Sequence, residues 1–105
     1  AYEKGQGVPQ DFQEAVKWYR LAAAQGNESA QVNLAAMYAD GRGVRQDFVR
    51  AHMWFDLAAA ALSGNSRDTA TQTRNRIAAK MTAEQIRTAQ EMAWRCQESK
   101  LKNCD

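Results

Sequence analysis

The chain of 105 residues is long enough for one domain of ordinary size and too short for two. Apolar residues make up 45% and charged residues 25%, which excludes wholesale disorder, and the abundance of alanine beside a single proline favours helices over an all-β fold. The net charge of +2 is too small to indicate nucleic-acid binding, and the longest apolar run, Leu57–Leu62, is too short for a transmembrane helix.

Two stretches of the chain repeat each other at a distance of 36 residues. When residues 1–24 are aligned with residues 37–60, 13 of the 24 pairs are identical, whereas chance gives about one or two. The identical pairs include a Gly-x-Gly-Val turn, a Gln-Asp-Phe triplet, a tryptophan and an Ala-Ala-Ala triplet. The chain therefore contains an internal repeat, which indicates a stacked array of similar units.

The first long helix is predicted over Phe12–Gln25. Asp11 precedes it as an N-cap, because a carboxylate accepts hydrogen bonds from the free amides of the first turn, and Gly26 is expected to end it in a left-handed conformation. Apolar residues cover most of the helix surface. This pattern predicts burial between neighbouring helices, with Trp18 filling the space between the layers.

Residues 1–4 are interpreted as the tail of a truncated helix, which leaves the first long helix without a partner on one side. We therefore expect exposed apolar surface along Phe12, Ala15 and Tyr19. Such a surface predicts self-association through this N-terminal edge, or an upstream helix in a longer protein.

A shorter helix is predicted over Glu28–Ala39. The segment Asn27-Glu28-Ser29 matches a glycosylation sequon, but its place before the helix favours a helix cap. Four apolar side chains recur at helical spacing on one face, and we assign this face to the core: Ala30, Leu34, Met37 and Tyr38.

The second long helix is predicted over Phe48–Ala61. Asp47 is its expected N-cap, and Gly64 is expected to end it. Trp54 occupies the position that Trp18 has in the first repeat, so it too is assigned to the space between layers.

The third unit departs from the repeat. A polar helix is predicted over Ser66–Lys80, without the Gly-x-Gly-Val turn that follows the earlier short helix. Thr82-x-x-Gln85 matches a capping box, which predicts a last helix over Ala83–Ser99. A terminal unit with one polar face is typical of the end of a stacked array.

Residues able to hold a metal or a cofactor are sparse. His52 is the one histidine, and together with Cys96 and Cys104 it makes no zinc-binding cluster. Gly41-x-Gly43 lacks the third glycine of a dinucleotide fingerprint and is interpreted as a turn. The sequence therefore predicts no metal and no cofactor, and a packed or surface His52.

The two cysteines, Cys96 and Cys104, lie close together near the C-terminal end. If the segment after the last helix folds back, their thiols come within bonding distance, and the sequence leaves open whether they are bridged. A bridge favours a periplasmic or otherwise exported location over the cytoplasm.

The motif of the full repeat resembles the Sel1-like repeat, a family related to the tetratricopeptide repeats, and its partial copy spans Tyr2–Ala24. The resemblance implies an all-α, right-handed superhelix of paired antiparallel helices, whose divergent end is similar to that of bacterial members. It implies a single domain over residues 1–105, with a partial repeat over 1–26, a full repeat over 27–64 and capping helices over 65–105. The residues that carry the motif are Ala30, Leu34, Ala35, Tyr38, Gly41, Gly43, Val44, Asp47, Ala51, Trp54, Ala58 and Ala59.

The resemblance further implies a non-catalytic scaffold that binds a protein or peptide partner, without nucleic acid and without membrane insertion. Two alternatives stay open: a cell-wall or sugar-associated enzyme or binding module, and a purely structural C-terminal cap of a longer solenoid. A deep polar cleft with converging titratable groups would favour the enzyme, whereas a broad, shallow concave face would favour the scaffold.

In solenoids of the tetratricopeptide type the first helix of each pair lines the concave groove. The resemblance therefore assigns the second stripe of the helix Glu28–Ala39 to partner binding, where Asn33 offers both a donor and an acceptor. An angular argument extends this face to the next helix. The expected binding residues are Ser29, Val32, Asn33, Ala36, Asp40, Gln72, Asn75 and Arg76.

Overall fold

The computed structural model describes residues 11–102 and residue 104, and these residues form five helices and no strand. Every predicted helix is present, with each end within two residues of its expected position. The all-α repeat architecture is therefore confirmed. In chain order the helices are α1 (Asp11–Ala24), α2 (Glu28–Asp40), α3 (Phe48–Ala61), α4 (Gly64–Ala78) and α5 (Ala83–Glu98).

Side-chain caps determine where α2 and α3 begin. The Asn27 Oδ1 atom accepts a hydrogen bond from the amide of Ala30 at 2.9 Å, and the Asp47 Oδ1 atom accepts one from the amide of Arg50 at 3.0 Å. Each bond satisfies an amide that the first helical turn leaves free, as predicted for both residues. Asp11 is instead the first residue of α1, and the chain before it lies outside the described residues.

The start of α5 agrees with the sequence prediction, whereas the end of α3 differs from it. Thr82 and Gln85 exchange the two hydrogen bonds of a capping box, as predicted. Gly64 has the expected positive φ of 61°, but it is the first residue of α4 and does not end α3. Helix α3 ends earlier, because Leu62 already has an extended backbone.

Helix α3 is the centre of the packing. It lies against α2, α4 and α5, whereas α1 packs mainly against α2. Eight of the 14 residues of α3 are buried, including Met53, Trp54 and Phe55. Because burying one large apolar side chain contributes about 1.5–3 kcal/mol, this helix supplies much of the driving force that holds the others.

The predicted core face of α2 is buried, but the prediction for Trp18 is wrong. Trp18 is 61% exposed, whereas its repeat counterpart Trp54 is 1% exposed. The difference follows from their neighbours, since among the described helices α3 packs against three others, whereas α1 packs mainly against α2.

The exposed apolar surface of α1 is formed by Trp18 and Leu21. The residues expected there are buried or half-buried, namely Phe12, Ala15 and Tyr19. Self-association through this edge stays a prediction.

The C-terminal segment folds back over the end of α5. A disulfide joins Cys96 and Cys104, whose Cα atoms are 4.5 Å apart and whose side chains are both buried. The chain reverses at Lys100 and Leu101, which have φ values of 57° and 70°. The Leu101 side chain reaches the α1–α2 turn, where its Cδ1 atom lies 3.9 Å from the position that a Cβ on Gly26 would take.

Removal of the disulfide in the double variant Cys96→Ala/Cys104→Ala is expected to lower the free energy of unfolding by roughly 2–3 kcal/mol. The bridge closes a short loop and so restricts the unfolded chain. Denaturant titration of the variant beside the oxidised protein measures the difference. Mass spectrometry of the unreduced protein tests the bridge itself, and two free thiols would contradict it.

Substitution of Gly43 by alanine is expected to destabilise the protein more than the same substitution of Gly64. Both glycines have positive φ, 73° and 61°, so alanine costs about 1–2 kcal/mol of backbone strain at either position. A Cβ on Gly43 would also clash with the backbone of Phe12, whereas nothing lies within 4 Å of a Cβ on Gly64. Thermal unfolding of the two variants measures the difference, and equal Tm values would contradict it.

Candidate partner-binding groove

A groove runs between α2 and α4. The two helices pack against α3 rather than closely against each other, and Phe55 of α3 lies at the base of the space between them. Two cavities of about 430 and 380 Å³ follow this space, and both have Phe55 and Thr73 in their walls. Because they share these walls, we describe them as one feature, the α2–α4 groove.

The α2 wall of the groove contains the residues that the sequence assigned to it. Ser29, Val32 and Asn33 line the first cavity, and Ala36 and Asp40 line the second. Ser29, Asn33 and Asp40 are exposed, whereas Val32 and Ala36 are half-buried. These five side chains therefore lie along one side of the groove, and Asn33, Ala36 and Asp40 also line a smaller cavity of about 180 Å³ toward α1.

The α4 wall differs from the sequence expectation. Arg76 lines the second cavity, but Gln72 and Asn75 line neither cavity, and Thr69 and Thr73 form the wall where they were expected. The physical reason is the rotation of α4, which is anchored on the core by its few buried apolar residues. These anchors are Ala70 and Ile77.

A signal for this wall was present in the sequence. Thr69 and Thr73 are one helical turn apart, and Thr73 lies three residues after Ala70 and four before Ile77, which places it beside the buried face of α4. Their hydroxyls donate to main-chain oxygens one turn earlier, at 3.0 Å and 2.9 Å. This leaves each threonine with further acceptor capacity at the groove surface.

The charged groups of the groove stand at its two ends. Glu28 lines the first cavity at the start of α2, whereas Asp40, Arg76 and Lys80 line the second cavity at the other end of α2. Asp40, Arg76 and Lys80 therefore share one cavity, whereas Glu28 stands at the other end of the groove. The middle of the groove is lined by hydroxyl, amide and apolar side chains.

A charged cluster ties α4 to α3 outside the groove. The Arg74 Nη1 atom lies 2.6 Å from Asp56 Oδ1, and His52 Nδ1 lies 3.3 Å from Asp56 Oδ2. Burial by itself raises the pKa of Asp56, but the contacts with His52 and Arg74 outweigh it and hold this pKa below its ordinary value of 3.8. His52 is 3% exposed and lines neither cavity, so it is a packed histidine.

One further pattern of catalytic interest, Ser-x-x-Lys, occurs at Ser99 and Lys102. The structure uses it to close the C-terminal segment. The Ser99 hydroxyl donates to the carbonyl of Cys96 at 2.9 Å and accepts from the amide of Lys102 at 3.2 Å. Because the helix ends before Ser99, the two side chains do not share a helical face, as a nucleophile and its lysine would.

Residues 11–102 and 104 contain neither a metal-binding cluster nor a helix suited to crossing a bilayer. Within these residues no group of three or more His, Cys, Asp or Glu side chains is arranged to hold a metal ion. None of the five helices found there combines the length and the apolar composition that crossing a bilayer requires.

The chain is similar to a known family of repeat proteins. A family model described as Sel1 repeat matches residues 1–27 and 28–61, which together make up more than half of the chain. The first match ends in the turn between α1 and α2, and the second ends with the last residue of α3. No curated protein and no solved structure matches the chain.

Substitution of Asp56 by asparagine is expected to reduce the sensitivity of the fold to acid. Because the folded pKa of Asp56 is lowered, its carboxylate stabilises the fold above pH 3.8, and this contribution disappears as the pH falls from there through the folded pKa. Near neutral pH the variant should lose about 1–3 kcal/mol of unfolding free energy.

Denaturant unfolding at about pH 3 and about pH 6 measures both effects of the Asp56→Asn substitution. The matched control is Asp68→Asn on the exposed side of α4, which should keep the pH dependence of the unsubstituted protein. Equal losses of stability on acidification in the Asp56 variant and the unsubstituted protein would contradict the assignment.

Proposed function

Because the chain belongs to the Sel1 repeat family, we propose that it is a non-catalytic scaffold that binds a protein or peptide partner in the α2–α4 groove. Proteins with Sel1 repeats are generally interaction scaffolds and typically lack enzymatic activity. The observation that carries the proposal is the alignment of the α2 stripe from Ser29 to Asp40 along one continuous groove with an apolar base.

The chemistry of the groove suits a segment of polypeptide main chain. Asn33 offers an amide donor and an acceptor, and Thr69 and Thr73 offer hydroxyls on the opposite wall. Phe55 and Val32 provide apolar contacts between these walls. The 13 residues of α2 correspond to a length of roughly 18 Å, which accommodates about five or six residues in extended conformation.

The disulfide supports a location for this scaffold. A bridge between Cys96 and Cys104 persists in an oxidising environment and is rare in the cytosol. The proposal therefore includes a periplasmic or otherwise exported protein. The two alternative functions lack comparable support, since the middle of the groove is lined by hydroxyl, amide and apolar side chains rather than titratable ones, and the groove itself is accessible in this chain.

The groove variant Asn33→Arg/Ala36→Arg is expected to lose partner binding, because two long cationic side chains fill the α2 wall. The measurement is selection from a phage-displayed library of short random peptides on the immobilised protein. The unsubstituted protein should enrich a set of related peptides, and the variant should bind them at least tenfold more weakly.

The matched control for the groove variant is Gln72→Arg/Gln90→Arg, which adds the same charge to exposed positions outside both cavities. This control should retain binding, and the circular dichroism and Tm of both variants should stay near those of the unsubstituted protein. Undiminished binding by a folded Asn33→Arg/Ala36→Arg variant would overturn the proposal.

A further inference from the structure

Two basic side chains at one end of the α2–α4 groove have no acidic partner among the described residues. Arg76 lies in the last turn of α4 and Lys80 follows just after the end of that helix, and both line the second cavity. The carboxylate that lines the same cavity, Asp40, lies 3.6 Å from the Nε atom of Arg42. Within residues 11–102 and 104, neither Arg76 nor Lys80 forms an ion pair, so both positive charges are available to a bound partner.

The surroundings of these cations are partly apolar. The Lys80 Nζ atom lies 5.8 Å from the centroid of the Phe48 ring, a cation–π distance that holds the ammonium at the groove wall. Phe55 and Ile77 are buried at the base of the same cavity. The geometry therefore offers a carboxylate two positive partners directly beside an apolar surface, which favours an acidic residue next to an apolar one.

The opposite end of the groove has the reverse charge. Glu28 lines the first cavity, and no basic side chain among the described residues lines that cavity with it. The two ends are separated by roughly 18 Å along α2, more than the Debye length of about 8 Å at physiological ionic strength. Each end therefore acts on a bound segment separately, and an acidic group is attracted at one end and repelled at the other.

We propose that the partner of the α2–α4 groove is a short extended segment whose one end carries acidic side chains, seated over Arg76 and Lys80. The neutral part of this segment lies along Asn33, Thr69 and Thr73. The inference rests on the proposed function and adds the chemistry and the orientation of the partner.

The test uses the same phage-displayed random peptides. Selection on the unsubstituted protein should enrich peptides with Asp or Glu concentrated toward one terminus and small apolar residues beside them. The strongest peptide, made with a fluorescent label, is then titrated by anisotropy. The variant Arg76→Glu/Lys80→Glu should bind it at least tenfold more weakly, and a peptide with lysines in place of its acidic residues should restore binding to that variant.

The matched control is Lys17→Glu/Arg87→Glu, which changes the net charge equally at two exposed positions outside the groove. It should bind the acidic peptide within about twofold of the unsubstituted protein. An equal loss of binding in the two charge variants would mean that the attraction comes from net charge, and it would overturn the inference.

The two proposals fail in different ways. If the selected peptides are excluded by Asn33→Arg/Ala36→Arg but carry no acidic preference, and Arg76→Glu/Lys80→Glu binds them normally, the charge inference is wrong and the groove proposal stands. If no selected peptide distinguishes the unsubstituted protein from Asn33→Arg/Ala36→Arg, both proposals are wrong.

Discussion

The burial of α3 between α2, α4 and α5 is the constraint that determines the rest of the described structure. The buried side chains of α3 point in several directions and pack against a different helix in each. The positions of α2, α4 and α5 are therefore determined by their contacts with α3. Helices α2 and α4 are held apart as a result, and the groove is the space between them. Phe55 belongs both to the core and to the base of the groove, so the groove cannot move independently of the core packing.

The groove wall on α4 is held by contacts at the buried base of the groove and outside it, rather than by the polar side chains proposed to bind. Ala70 and Ile77 pack α4 onto the core, and the Arg74–Asp56 ion pair ties it to α3 from the other side. Binding residues can therefore differ without a change in the position of the helix that carries them. A division of this kind suits a scaffold, whose framework must stay constant while its surface determines the partner.

Helices α1 and α3 could be predicted because the same sequence pattern occurs in both, and the α2 wall could be predicted because Ala30, Leu34, Met37 and Tyr38 recur at helical spacing on the opposite, core face. The α4 wall could not, since its polar sequence leaves only Ala70 and Ile77 to fix the rotation. The burial of Trp18 could not be predicted for another reason. Because Trp18 and Trp54 occupy equivalent positions in the repeat, the same burial was expected for both, but burial depends on neighbouring helices, which the residue itself does not specify. The disulfide depended on positive φ values at Lys100 and Leu101, two residue types that rarely adopt them.

The position of Leu101 against the turn at Gly26 joins residues that are far apart in the chain. Arrays of repeats are commonly treated as sums of neighbouring units, each stabilised by the next. Here the turn at Gly26 also lies against a residue that follows α5. Because the ribosome synthesises the chain from its N-terminal end, this turn lacks that contact until Leu101 has emerged.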